Sequence, residues 1–139
     1  MSRKGTGLGL IDRVNPGPLA KRPRVLIVED DAALASLYRA SLRLAGYDVV
    51  TARDGEDALH VVDEVPPDLV VLDLELPRLQ GDVVLEELAS APESKRIPVI
   101  VVTGTDARLP VQHAAAILRK PCTPDLLLST VEYRLRDYE

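Results

Sequence analysis

The sequence predicts an α/β fold, a doubly wound parallel sheet of five strands in the order 2-1-3-4-5. Three observations lead there. From Arg24 onward, short apolar runs alternate with segments whose apolar residues recur at helical spacing. Two of the runs, Leu69-Val70-Val71-Leu72 and Val99-Ile100-Val101-Val102, are apolar without a break, so helices must cover both of their faces. Right-handed crossovers then leave few topologies for five such units.

The elements follow in order. A first strand is expected over about Arg24 to Val28. Asp31 can cap a helix running to about Ala45, with Leu34, Leu37, Ser41 and Ala45 on its inner face and Gly46 as its left-handed stop. Asp48 to Ala52 reads as the second strand, and Asp54 caps a helix with Ala58, Leu59 and Val62 inward. Pro66-Pro67-Asp68 closes that connection before a third strand, Leu69 to Asp73. Gly81 opens a helix with Val84, Leu85 and Leu88 on one side, and Pro98 introduces the fourth strand, Val99 to Thr103. Only 16 residues separate Thr103 from Lys120, with Pro110 in their middle, so the fourth helix should be shortened, around Val111 to Ala115. A short Ile117-Leu118 run then leads to Lys120-Pro121. Thr123-Pro124-Asp125 starts the last helix with a capping hydroxyl, a first-turn proline and an acid at the positive dipole end. Leu127, Leu128, Val131 and Leu135 would dock it.

Size and composition narrow the function classes. The 139 residues suit one domain, and with no Phe or Trp its core must be built from Val, Leu, Ile and Ala. Residues 1–23 differ: Arg3, Lys4, Arg13, Lys21 and Arg22 face the single acid Asp12 among several Gly and Pro, which reads as a flexible basic tail ahead of a domain over 24–139. Leu8, Leu10 and Ile11 could dock part of it on that domain. The net charge of −5 weighs against direct nucleic-acid binding. One cysteine, Cys122, excludes an internal disulfide. No apolar stretch reaches the roughly 20 residues of a membrane span, and no secretory signal opens the chain. No membrane insertion and a cytoplasmic location are therefore expected.

Function shows in how the strands end. Val25 to Val28 runs into Glu29-Asp30-Asp31, the third run stops at Asp73, the fourth at Thr103, and the last leads to Lys120. In a parallel sheet these ends share one edge, where such folds bind ligands.

Val25-Leu26-Ile27-Val28-Glu29-Asp30-Asp31, Asp73-Leu74-Glu75-Leu76-Pro77 with Gly81, Val102-Thr103-Gly104 and Lys120-Pro121 together resemble the receiver domain of bacterial two-component response regulators. The resemblance covers about Arg24 to Tyr138 and implies the flavodoxin-like receiver fold. It implies a phosphoacceptor, not a classical enzyme, that assists its own phosphorylation and dephosphorylation. Asp73 would be the nucleophile, taking a phosphoryl group from a sensor histidine kinase or histidine phosphotransfer protein. Asp30, Asp73 and the backbone carbonyl of Glu75 would ligate Mg²⁺, with Glu29 acting through a bound water. Lys120 would supply positive charge, aimed inward by a cis bond to Pro121, and Thr103 would hydrogen-bond a phosphoryl oxygen. An unidentified downstream protein would read the phosphorylated state.

The chemistry of these residues agrees with that assignment. Two like charges ~5 Å apart repel by roughly 3 kcal/mol at an effective dielectric near 20. A cluster of Glu29, Asp30 and Asp73 thus needs a cation, and oxygen ligands without His or Cys suit Mg²⁺. A Thr103 hydrogen bond to a charged phosphoryl oxygen is worth roughly 1.5–3 kcal/mol and exists only after phosphorylation, so it can bias a conformational equilibrium.

The chain departs from the family in three places. Where the family usually carries Tyr or Phe, three residues before the lysine, stands Ile117, which puts the aromatic switch in doubt. Cys122 replaces the usual Phe after Lys-Pro, and the fourth helix is abbreviated. Output through another surface follows, such as the first helix and its adjoining loops. Glu75, beside the acceptor, could position or repel an attacking water. The few residues after the last helix point to a stand-alone receiver. Two other readings stay open: a constitutive interaction domain (a pseudo-receiver), and a receiver fragment of a hybrid histidine kinase. Gly5-Thr6-Gly7-Leu8-Gly9-Leu10, which resembles the glycine-rich ATP box of histidine kinases, keeps the second open, although the other boxes of a nucleotide site are absent. A phosphatase of the aspartate-nucleophile type would want an aspartate at Glu75 and a cap that has little room. His60 and His113 read as surface residues and Cys122 as packed. Tyr133 and Tyr138 suit a contact surface or amphipathic packing equally.

Overall fold

A computed structural model describes residues 22–104 and 112–136. Residues 1–21 of the tail expected over 1–23, with its glycine box, and Tyr138 lie outside these residues. In chain order the elements are β1 (Arg24–Val28), α1 (Ala32–Leu44), β2 (Asp48–Ala52), α2 (Gly55–Glu64), β3 (Leu69–Asp73), α3 (Gly81–Ser90), β4 (Val99–Thr103), β5 (Ala116–Arg119) and α4 (Pro124–Leu135). The five strands form one sheet in the order β2-β1-β3-β4-β5, every neighbouring pair parallel. The architecture is the one the sequence predicts.

The unbroken apolar strands explain why. Successive side chains of a strand point to opposite faces, and here each face is buried. Leu26, Val28, Val70, Leu72, Val99 and Val101 pack with Ala58 and Val62 of α2 and Val84, Leu85 and Leu88 of α3. Val25, Ile27, Leu69, Val71, Ile100 and Val102 pack on the other face with Tyr38 and Leu42 of α1 and Leu127 and Val131 of α4. All five residues of β3 and of β4 are buried.

Helix starts follow their caps. Asp31 Oδ1 accepts from the amides of Ala33 and Leu34 at 3.0 and 3.2 Å. Asp54 Oδ1 accepts from Asp57 N at 2.8 Å, and the Thr123 hydroxyl oxygen from Leu126 N at 3.1 Å. Each such cap is worth about 1 kcal/mol. At the other end of α1, Gly46 adopts φ 103°, which turns the chain so that Tyr47 N reaches Leu42 O at 3.1 Å.

Two expectations are corrected. The inner face of α1 is Ala35, Tyr38 and Leu42, while Leu34 and Ser41 are half-buried and Ala45 is exposed. Leu37 is 51% and Leu44 91% exposed. Both stripes have helical spacing, but they differ by one residue, a rotation of about 100°. Counting leucines chose one stripe; the tyrosine ring chose the other. In a chain without Phe or Trp, Tyr38 is the largest fully buried side chain among the described residues. The second correction concerns the fourth crossover. Of the short helix expected around Val111 to Ala115, Val111 lies outside the described residues. Residues 112–115 are not helical, with bends at Gln112, His113 and Ala115 and His113 at φ 74°. Four helices, not five, stand among the described residues. None of them is long and apolar enough to cross a membrane.

Candidate functional site

The carboxyl ends of β1 and β3 lie side by side, because Val28 pairs with Leu72. The next residues on each strand, Glu29 and Asp73, therefore emerge together, and Asp30 follows at the first turn. One carboxylate oxygen from each of Glu29, Asp30 and Asp73 lies within 4.8 Å of the others. Glu29 and Asp73 are buried at 4% and 2% exposure, while Asp30 faces solvent.

On the other side, β4 places Thr103 beside the Asp73–Val102 pair, and Lys120 follows β5. The Lys120 amide donates to Thr103 O at 2.9 Å. The Lys120–Pro121 peptide is cis, as expected. The Lys120 ammonium reaches Asp73 Oδ2 at 3.1 Å and Glu29 Oε1 at 3.4 Å. Thr103 is fully buried at the end of β4. All five residues expected at one rim are thus at that rim.

Backbone amides hold the acids in place. Glu75 N donates to Asp73 Oδ1 at 2.9 Å, and Asp31 N donates to Glu29 Oε2 at 3.2 Å. The loop after β3 returns tightly enough that Gly81 N reaches Leu74 O at 3.1 Å. A Cβ on Gly81 would stand 2.5 Å from Asp73 O and from Leu74 Cα, so only glycine allows this approach. Glu75 adds no carboxylate to the acid cluster: its side chain is exposed, and its Oε1 lies 3.9 Å from where a Cβ on Gly104 would be.

The electrostatics follow from three acids sharing one base. Burial pushes the Glu29 carboxyl up to about 7, and the charge of Asp73 adds to this, while the Asp31 amide and Lys120 pull it down. For Lys120, burial opposes the charge, but the hydrogen bond to Asp73 and the charges of Asp73 and Glu29 hold its pKa above the usual lysine range. The cluster as it stands carries more negative than positive charge. An all-oxygen donor set with this surplus fits a hard divalent cation such as Mg²⁺.

Sequence reasoning missed Tyr38. Its hydroxyl donates to Cys122 O at 2.9 Å, two residues from Lys120, and Cys122 packs in the same core cluster at 6% exposure. Burial and the neighbouring Cys122 thiol push the Tyr38 phenol up, and burial pushes the Cys122 thiol up. The small residue after Lys120-Pro121 thus shares its corner with an aromatic ring arriving from α1. A tyrosine among leucines at helical spacing was the available signal. Ile117 sits half-buried in β5 opposite Val101. His60 and His113 are exposed, as expected.

Comparison with known proteins agrees with this geometry. The family model described as the response regulator receiver domain matches residues 25–132. Protein Rrf1 of Nitratidesulfovibrio vulgaris is 34% identical over 116 residues, covering 83% of this chain and 84% of that protein. The alkaline phosphatase synthesis transcriptional regulatory protein PhoP of Bacillus subtilis is 37% identical over 83 residues, or 60% of this chain, and the match spans only about a third (34%) of PhoP. Among solved structures, the signal receiver domain of a signal transduction histidine kinase from Syntrophus aciditrophicus superposes with a TM-score of 0.76 at 27% identity, covering 84% of this chain and 92% of that one.

Proposed function

The chain belongs to the response regulator receiver domain family of two-component signalling, and we propose that within it Asp73 is the phosphoacceptor. The observation that carries this reading is Asp73 itself, a buried carboxylate that shares one rim with two other acids and hydrogen-bonds the Lys120 ammonium. One Asp73 oxygen attacks the phosphorus of a phosphohistidine on a sensor kinase or phosphotransfer protein. The new O–P bond forms as the P–N bond breaks, and the imidazole leaves. Lys120 offsets the negative charge of Asp73 and of the incoming phosphoryl group. Thr103, at the end of the neighbouring strand, donates its hydroxyl to a phosphoryl oxygen once the group is in place. Asp30 and Asp73, with the Glu75 carbonyl, would hold Mg²⁺, and Glu29 would act through a bound water. When bound, that ion neutralises the acids and aligns the phosphoryl group.

The phosphorylated domain then binds a downstream protein. The surplus acid of the chain, the single cysteine and the absence of a helix able to span a membrane among the described residues support action in the cytoplasm without direct nucleic-acid contact. Ile117, where the family usually carries a switching aromatic ring, favours a second reading in which the domain binds its partner constitutively.

Incubation with Mg²⁺ and acetyl phosphate, followed by intact-mass measurement, separates the two. A phosphate-sized adduct on the wild type that vanishes in Asp73→Asn supports phosphoacceptance. No adduct with this donor or with a competent kinase supports the constitutive module.

A further inference from the structure

Away from the acid rim, α2 and α3 leave a groove of about 540 Å³ between them. Its floor is apolar, with Leu59 and Leu88, and its walls carry Glu56, which pairs with Arg78, and three further acids, Asp63, Glu87 and Glu93. No lysine or arginine lines it, and none of these three acids has an ion-pair partner among the described residues. An apolar floor under free carboxylates is complementary to a segment with apolar residues in its middle and cations at its flanks.

We propose that the groove is the docking site for the N-terminal segment of this same chain, residues 1–21. This goes beyond the receiver reading and does not depend on it. Three observations select the occupant. Residues 1–21 carry four cations, Arg3, Lys4, Arg13 and Lys21, against one acid, with Leu8, Leu10 and Ile11 between them. The segment leaves the described domain at Arg22, which lines a cleft together with Pro66, and Pro66 also lines the groove. The point of departure is therefore next to one end of the docking site. The ten residues from Asp12 to Lys21 can span up to about 33 Å. That is more than twice the roughly 15 Å length of a ten-residue helix such as α2, so Leu8, Leu10 and Ile11 can reach any part of the floor.

Zero-length carbodiimide coupling on the full chain tests this, with the products mapped by mass spectrometry. It joins a lysine amine to a carboxylate only when the two are in contact. Lys4 is the informative residue, because Lys21 adjoins Arg22 in sequence and could give products without docking. The expected result is coupling of Lys4 to Asp63, Glu87 or Glu93 within a single chain. Raising the salt to about 0.5 M should suppress it. The triple variant Leu8→Ser, Leu10→Ser, Ile11→Ser keeps every charge and should lower the yield by roughly tenfold, since it removes the apolar anchor. An unchanged yield in that variant would show random collision and overturn the proposal. So would the absence of Lys4 products, or their appearance only between two chains, which would make a second copy the occupant.

Discussion

The two rims of the sheet hold similar side chains in opposite proportions. At the amino rim, Arg22, Arg24, Arg43, Asp48 and Asp68 line a cleft of about 500 Å³. Arg24 Nε donates to Asp48 Oδ2 at 2.8 Å and Arg24 N to Asp68 Oδ2 at 2.7 Å. The Arg24 and Asp48 side chains remain 33% and 42% exposed. At the carboxyl rim three acids meet one ammonium, and the Glu29 and Asp73 side chains are only 4% and 3% exposed. An exposed, balanced pair gains at most about 1 kcal/mol and asks for nothing more. A buried surplus of like charge is costly until a cation completes it. Ion pairs as such therefore do not mark a site; an uncompensated, dehydrated excess does.

That contrast can be broken most strongly at Lys120. Lys120→Ala leaves Glu29 and Asp73 without their ammonium, and should cost roughly 3 kcal/mol of metal-free stability in a urea titration. Mg²⁺ should restore much of that loss, and signalling should suffer more than adduct formation. Equal loss of both would argue that Lys120 acts only in the transfer itself.

The next effect is one of pH. The folded Glu29 carboxyl at about 7 lies above its ordinary 4.5, so its contribution to metal-free stability is complete below about 4.5 and is lost as pH rises through about 7. Calorimetry in chelator should show this decline, and Glu29→Gln should shrink it. The same proton competes with the cation, so Mg²⁺ affinity should rise by several-fold between pH 6 and 8. A flat affinity would place Glu29 outside the ion's reach.

Smaller still is Tyr38→Phe, which leaves the Cys122 carbonyl without its buried donor and should cost about 1–2 kcal/mol in the same urea titration. Smallest is Asp48→Asn at the amino rim, expected to change stability by less than about 1 kcal/mol and Mg²⁺ affinity not at all. An effect at Asp48 comparable to that at Lys120 would erase the distinction between the rims.

What could be read from the sequence follows the same physics. The first four strands were legible to the residue, β1, β3 and β4 because a buried parallel strand is an apolar run and β2 as a shorter run bounded by Asp48 and Ala52. Glu29, Asp30, Asp73 and Thr103 were legible because they end such runs, and Lys120 because it follows Ile117-Leu118. The acid cluster needed no distance information, only topology. The face of α1 was not legible: two stripes of equal period compete, and only packing shows that Tyr38 and not Leu37 turns inward. The fourth crossover failed for a related reason. Ala114 and Ala115 suit a helix, but Ala115 N bonds Val99 O at 2.8 Å, and sheet pairing directs the chain there. The Tyr38–Cys122 bond joins residues 84 apart, beyond any local pattern.

Anomalous diffraction from crystals soaked in Mn²⁺, which takes the same oxygen ligands as Mg²⁺, tests the difference between the rims directly. One strong peak between Asp30 and Asp73 is the predicted result, with the cleft of Arg24 and Asp48 empty. A peak in that cleft, or none beside Asp73, would contradict it.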